Sequence, residues 1–350
     1  MTRFSPARLL ASPQGVVLLT GLVLAAGIAV LNPVFLSAPN LIDLLRNALV
    51  TGIFAIGVMI VLASGGIDVS FTAIGAFALY ATAKLLVTTG LHPPIVVIIL
   101  VAVAIGAALG AVNGLLIGLL RLSTLIVTLG TLSLFRGALL TFLGSNYISS
   151  VPREIIAYSR LPLIAFHLGD GRVVSLPMSF LHWVALSLAA ALILGFTMFG
   201  RKIYAIGGSE DAAERIGIDI RRMKVVIYVL AGGIAGLAGV THLTLARIAN
   251  PFDLVGTELN VIAAVVLGGA RITGGHGTVS GTIIGVLVIT MINTSLLLIG
   301  VPSYWERVVV GCLIIFGTGL PVAIERLAER RLRLRGGDAV LRSGGNAVVQ

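Results

Sequence analysis

Long apolar runs, separated by short polar or Gly/Pro breaks, recur along most of this chain, and no other feature restricts its fold so severely. A run of about 20 apolar residues crosses the hydrocarbon layer of a bilayer as a helix. Within that layer every backbone N–H and C=O must be bonded inside the protein, which leaves helices as the form such runs take. The runs fall at about 15–31, 47–64, 70–89, 94–120, 123–143, 174–198, 225–245, 257–271, 277–299 and 307–325. The expected fold is all-α, a polytopic transmembrane helical bundle of about ten spans. Composition agrees. Of 350 residues, 57% are hydrophobic and 11% charged, with a mean hydropathy of +1.09, whereas a soluble domain carries roughly a quarter of its residues charged.

Lys and Arg gather in loops that stay in the cytosol, so their distribution tests the topology. With the N-terminus inside, the inner side holds Arg3, Arg8, Arg121, Arg201, Lys202, Arg215, Arg221, Arg222, Lys224, Arg271, Arg326, Arg330, Arg331, Arg333, Arg335 and Arg342. The outer side holds only Arg46, Lys84, Arg153, Arg160, Arg172, Arg247 and Arg307, and Arg136 lies within a span. This split favours both termini in the cytoplasm. The formal charge of +10 is then a topological signal. No aromatic-interleaved basic patch points to nucleic acid. Arg3 and Arg8 precede the run Gly15–Leu31 as in a signal peptide, but with many spans following, the segment reads as an uncleaved first helix.

The expected organisation is a cytoplasmic segment 1–14, a transmembrane domain 15–325 and a basic cytoplasmic tail 326–350. That tail is expected to be partly disordered and to lie against anionic lipid headgroups. Two stretches stand out as non-membrane: Ser145–Arg172 as the largest outer loop and Gly200–Lys224 as the largest inner one. Glycines at spacing four, namely Gly106, Gly110, Gly114 and Gly118, then Gly232 and Gly236, then Gly281 and Gly285, are packing ridges that let backbones approach closely.

Catalytic chemistry is missing. A phosphate-cradling loop needs Gly-Lys followed by Ser or Thr, and Lys84, Lys202 and Lys224 follow Ala83, Arg201 and Met223. The five histidines, His92, His167, His182, His242 and His276, have no metal-ligand spacing, and there is no G-x-S-x-G elbow. The expectation is a chain that is not an enzyme, with no catalytic residue, cofactor or metal. Ion-driven carriers bury acids, histidines or Arg–acid pairs within spans. Here only Arg136 lies firmly within a span, with no acid on that same span in reach of it, and it is expected to snorkel or to pair.

The inner loop reads GRKIYAIGGSEDAAERIGIDIRRMK. Gly207 and Gly208 break one helix. Ser209 caps a second, with Glu210 and Asp211 in its positive first turn. Ala212 and Ala213 give it a small-residue patch, and Gly217 stops it. Ser209–Ile216 is thus a short helix outside the membrane, either an ordinary capped loop helix or a docking surface for a cytosolic partner.

This loop resembles the cytoplasmic coupling segment of bacterial ABC-importer permeases of the ribose-type monosaccharide class, approximately FGRxIYAIGGNxxAAxxSGI against Phe199–Ile218. Three further stretches agree in order. Leu62–Ser70 is similar to LSGGIDLS. Ile126–Thr131 followed by Phe135-Arg136-Gly137 is similar to FIVTLGT…RG. Val266–Gly269 followed by Gly274–Thr282 is similar to GG…GGxGxxxGT. The match covers about residues 45–325, with Ser123, Ser209 and Ile216 departing from the usual Pro, Asn and Ser.

The resemblance implies a type II ABC-importer-like permease of the bacterial inner membrane, forming the pathway for a sugar or sugar-like solute. It further implies a cytosolic ABC ATPase subunit, a periplasmic solute-binding protein and a second permease copy or paralogue as partners. Ser209, Glu210, Asp211, Ala212, Ala213 and Gly217 are the expected ATPase contact. Asp68 and Ser70 either cap the third span or act at a gate. Asn113, Thr128 and Asn293 either bond solute hydroxyls along the pathway or bond between helices. The rival expectation is an ATP-independent secondary transporter or channel for a small polar solute.

Overall fold

Helix starts follow the polar breaks between the apolar runs. In the computed structural model, which describes residues 13–312 apart from 170, 299, 303, 306, 307 and 310, helix α1 spans Pro13–Leu31. Asn32 then accepts from the Val34 N–H at 3.0 Å, and Ser37 caps α2 (Ala38–Ala63). Gly65, at φ +82°, turns the chain into an extended connection before α3 (Phe71–Thr89). Next come α4 (Ile95–Leu120) and α5 (Thr124–Ala138), the latter prolonged by a π-helical turn Leu139–Leu143.

The predicted outer loop is structured. It holds α6 (Arg153–Arg160) and β1 (Pro162–His167), which pairs antiparallel with β2 (Val173–Pro177). Helix α7 (Phe180–Phe196) is bent by 75° from α8 (Met198–Gly208). Then follow α9 (Glu210–Arg215), α10 (Ile220–Ala246), α11 (Glu258–Leu267) and α12 (Val279–Leu298).

The expectation of an all-helical membrane bundle holds, with about ten as an approximate span count. Among the described residues six helices, α2, α3, α4, α5 with its π turn, α10 and α12, are long and apolar enough to cross a membrane. The bent pair α7–α8 makes a seventh. The apolar part of α1, Val17–Leu31, and α11 are shorter. The run expected at 257–271 contains only the 10 residues of α11, about 15 Å or half a bilayer core. The run at 174–198 begins with β2, because Val173–Pro177 is β-branched and ends in proline. The tenth run, 307–325, and the tail 326–350 lie outside the described residues, apart from 308, 309, 311 and 312.

Helix α10 is central, packed against α4, α3 and α2. Residues Gly52–Ala63 of α2 are buried without interruption, as expected of a helix apolar on all sides and enclosed by others. The glycine ridges lie where backbones touch. A Cβ on Gly106 would strike Gly232 O, one on Gly110 would strike Tyr228 O, and one on Gly285 would strike Ala264 O. Outward, Leu181, Val184, Leu188 and Leu192 of α7 form an exposed stripe at helical spacing. Such a stripe is costly in water and at home in lipid.

Candidate functional site

Two polar assemblies interrupt this apolar bundle. The first is the connection Ser64–Ser70. Its Ile67 N–H donates to Thr124 Oγ1 at 3.1 Å, and Ile67 O accepts from Thr128 Oγ1 at 3.2 Å. Hydroxyls of α5 thus take up backbone groups that have left the helical pattern, as a buried non-helical segment requires. Asp68 is 3% exposed. Its Oδ1 accepts from the Ser70 N–H and the Ser70 hydroxyl, both at 2.7 Å. The Asn113 amide of α4 then donates to Ser70 Oγ at 2.8 Å. Burial raises the Asp68 pKa above its ordinary value, outweighing the two Ser70 hydrogen bonds that lower it.

Four of the five residues expected at a pathway or gate, Asp68, Ser70, Asn113 and Thr128, therefore meet around one connection. Neither capping candidate bonds the first turn of α3 through its side chain: Ser70 is the N-cap residue, and its N–H and hydroxyl both donate to Asp68. Asn293 stands apart on α12, its Oδ1 buried with no partner among the described residues.

The second assembly is Thr72 on α3, Arg136 on α5 and Glu258, the first residue of α11. The Arg136 guanidinium pairs with Glu258 Oε1, and the Thr72 hydroxyl donates to the same oxygen at 2.5 Å. The two charged side chains are 30% and 14% exposed.

At the end of the bundle where α4 stops and α10 starts, α9 stands as expected. Ser209 accepts from the Ala212 N–H at 3.3 Å, Glu210 and Asp211 open the helix, and Gly217 ends it at φ +85°. Glu210 pairs with Lys224 at 2.7 Å and Glu214 with Arg121 at 3.3 Å, tying α9 to α10 and to the end of α4. The expected small-residue patch is divided: Ala212 is exposed and Ala213 buried at 2%, because this short helix rests one face on the bundle. Ile216 projects instead, at 75% exposure.

Immediately before α9, backbones converge. Gly207 fits so closely that a Cβ there would strike Ala63 O. The Gly275 N–H donates to Ala63 O at 3.0 Å, and Tyr204 OH donates to Gly277 O at 2.7 Å. The segment leading into α9 is thereby joined to the end of α2 and to the 268–278 connection.

A family profile described as "Branched-chain amino acid transport system / permease component" matches residues 40–317. The chain belongs to this permease family. It is 38% identical over 294 residues to the ribose import permease protein RbsC of Bacillus subtilis, covering 84% of the chain and 88% of that protein. It is 33% identical over 294 residues to RbsC of Escherichia coli K12, covering 84% and 89%. The L-arabinose ABC transporter permease protein AraH of Azospirillum brasilense is 33% identical over 302 residues, covering 84% and 83%. No solved structure matches the chain.

In this permease the residue that sequence reasoning missed is Glu258. It stands 122 positions from Arg136, so no spacing rule could pair them. The available signal was charge balance: a lone cation inside one apolar run calls for a lone acid at another. Ile216, a departure from the family pattern, is exposed as the C-cap of α9, a placement that only three dimensions reveal.

Proposed function

We propose that this multi-pass protein is the membrane-spanning subunit of an ATP-binding-cassette importer of the bacterial inner membrane, conducting a sugar or sugar-like solute. The chain supplies the passage, and ATP hydrolysis resides on a separate subunit. A periplasmic binding protein delivers the solute, and a second permease copy or paralogue completes the pathway. The observation that carries this reading is identity over 84% of the chain with permeases named for ribose. The permease named for L-arabinose supports it.

Both termini are cytoplasmic, with 1–14 and the basic tail 326–350 flanking the transmembrane domain. In this arrangement α9 faces the ATPase through Ser209, Glu210, Asp211, Ala212, Ile216 and Gly217, while Ala213 anchors it. Closure of the ATPase pushes α9. The convergence of Gly207, Ala63 and Gly275 passes that displacement to α2 and to the 268–278 connection. The Asp68–Ser70–Asn113 cluster holds the start of α3 at the level where the passage alternates.

The Arg136–Glu258 pair is a feature that a proton-driven carrier would also use, so energy coupling is the deciding measurement. Proteoliposomes holding the permease, its ATPase and its binding protein should accumulate radiolabelled ribose or arabinose only with internal ATP. They should lose that accumulation when the ATPase's nucleotide-binding lysine is replaced. Uptake driven by a proton gradient without ATP would overturn the reading in favour of the secondary transporter.

A further inference from the structure

The lipid-facing stripe of α7, Leu181, Val184, Leu188 and Leu192, has its next member at Phe196, 79% exposed at the last residue of the helix. The chain then bends by 75° into α8. Membrane spans tilt by roughly 20° from the bilayer normal, so a bend of this size lays α8 close to the membrane plane. The bend is enforced locally. Thr197 accepts from the Gly200 N–H at 3.2 Å, and Gly200 lies so near α7 that a Cβ on it would strike Leu194 O.

Helix α8 has two faces. Gly200, Ile203 and Ile206 are buried, and the helix rests on α2. Met198, Arg201, Lys202 and Ala205 recur at spacings of three and four and share the opposite face. Met198 is 61% exposed, Arg201 is exposed and Lys202 half-buried. Neither cation pairs with a carboxylate among the described residues. Arg201 reaches the Met198 sulfur at 2.9 and 3.3 Å, and a thioether is a weak acceptor. The acids nearby are engaged elsewhere: Glu210 with Lys224, Glu214 with Arg121 and Asp219 with Arg222, while Asp211 stands in the positive first turn of α9. A helix lying in the interface, with large apolar groups beside cations that no acid neutralises, is complementary to an anionic lipid.

We propose that the outward face of α8 binds an anionic phospholipid, its phosphate held between Arg201 and Lys202 and its acyl chains lying along Met198, Phe196 and the α7 stripe. This goes beyond the importer reading, and only its consequence for transport rests on that reading. In the importer the site faces the cytoplasmic leaflet, whose surface is negative. The helix that the lipid steadies runs directly into Gly207 and α9, so the lipid fixes the footing against which the ATPase pushes.

The test uses the full-length chain in vesicles of phosphatidylcholine with or without phosphatidylglycerol. Phe196→Trp places a fluorophore at the foot of α7, and the quenching gained over the parent chain is read with brominated acyl chains on one lipid or the other. Brominated phosphatidylglycerol should quench at least three-fold more, mole for mole, than brominated phosphatidylcholine. Arg201→Gln with Lys202→Gln should lose that preference. Arg215→Gln with Arg221→Gln removes the same charge on the same side and should keep it. Equal quenching by the two lipids in the Phe196→Trp chain would overturn the assignment. So would loss of the preference in both double variants, the mark of diffuse surface attraction. With ATPase and binding protein added, ATP-dependent ribose uptake should rise at least five-fold with phosphatidylglycerol, and should not rise in the Arg201→Gln, Lys202→Gln chain. Equal uptake in both lipids would overturn the lipid's part in transport. Uptake in neither, with the quenching preference intact, would count against the importer reading alone.

Discussion

Asp68 carries three bonds' worth of order in one carboxylate: two from Ser70 and, through Ser70, one from Asn113 on a neighbouring helix. Removing its oxygens strands the Ser70 N–H in a buried place, a loss of about 1–3 kcal/mol. Asp68→Leu should therefore lower the melting temperature of the detergent-solubilised protein, whereas Asp68→Asn, which keeps an acceptor, should lower it less. The pH dependence has a definite sign. Because burial raises the folded-state pKa above the ordinary 3.8, the native protein holds this proton to higher pH than the unfolded chain does. The group's contribution to stability is full below 3.8 and declines as pH rises through the folded value. Asp68→Asn should flatten that part of the stability profile, and an unchanged slope would remove Asp68 as its source. Asp68 and Ser70 were recognisable as candidate caps from their place between two apolar runs. Their bond to Asn113, 43 positions from Ser70, depends on which face of α4 turns inward, and nothing local records that.

At the scale of helices, glycines differ sharply in what they tolerate. Gly110 of α4 lies on Tyr228 O and the Gly232 backbone, while Gly130 and Gly137 of α5 have nothing within 4 Å of a Cβ. Gly110→Ala must separate α4 from α10 and should cost about 1–3 kcal/mol, with a larger side chain preventing recovery of folded protein. Gly130→Ala should stay within about 0.5 kcal/mol of wild type, and size-exclusion yield with thermal melting in detergent separates the two outcomes. The ridge was legible because spacing four is a helix-face property; its partner was not, because α12 offers Gly281 and Gly285 at the same spacing as Gly232 and Gly236 of α10. Nor was the half-length of α11. Its apolar run continues through Gly268 and Gly269, yet Gly269, at φ +92°, ends the helix in the left-handed conformation that glycine favours, a local stop that the apolar run obscured. The short helix α9 makes its own prediction. Ile216→Asp should abolish co-purification of the ATPase while membrane insertion persists, whereas Ala213→Arg, aimed into the bundle, should disrupt the helix itself. Normal ATPase recovery by Ile216→Asp would exclude this face as the docking surface.

Across the molecule, the apolar runs announced a membrane bundle, and four ordered motifs marked out the class. The matched motifs do not lie apart in space. The Leu62–Ser70 stretch, the middle of the Phe199–Ile218 loop and the Gly274–Thr282 stretch converge at Gly207, Ala63 and Gly275, backbone against backbone, beside the side-chain bond from Tyr204 to Gly277 O. Long side chains there would act as springs, bending through rotamers before passing on any load. Backbone resting on backbone has almost no compliance. In the proposed importer, a displacement entering at α9 would therefore reach the end of α2 and the 268–278 connection together, like a rigid crank turning two shafts.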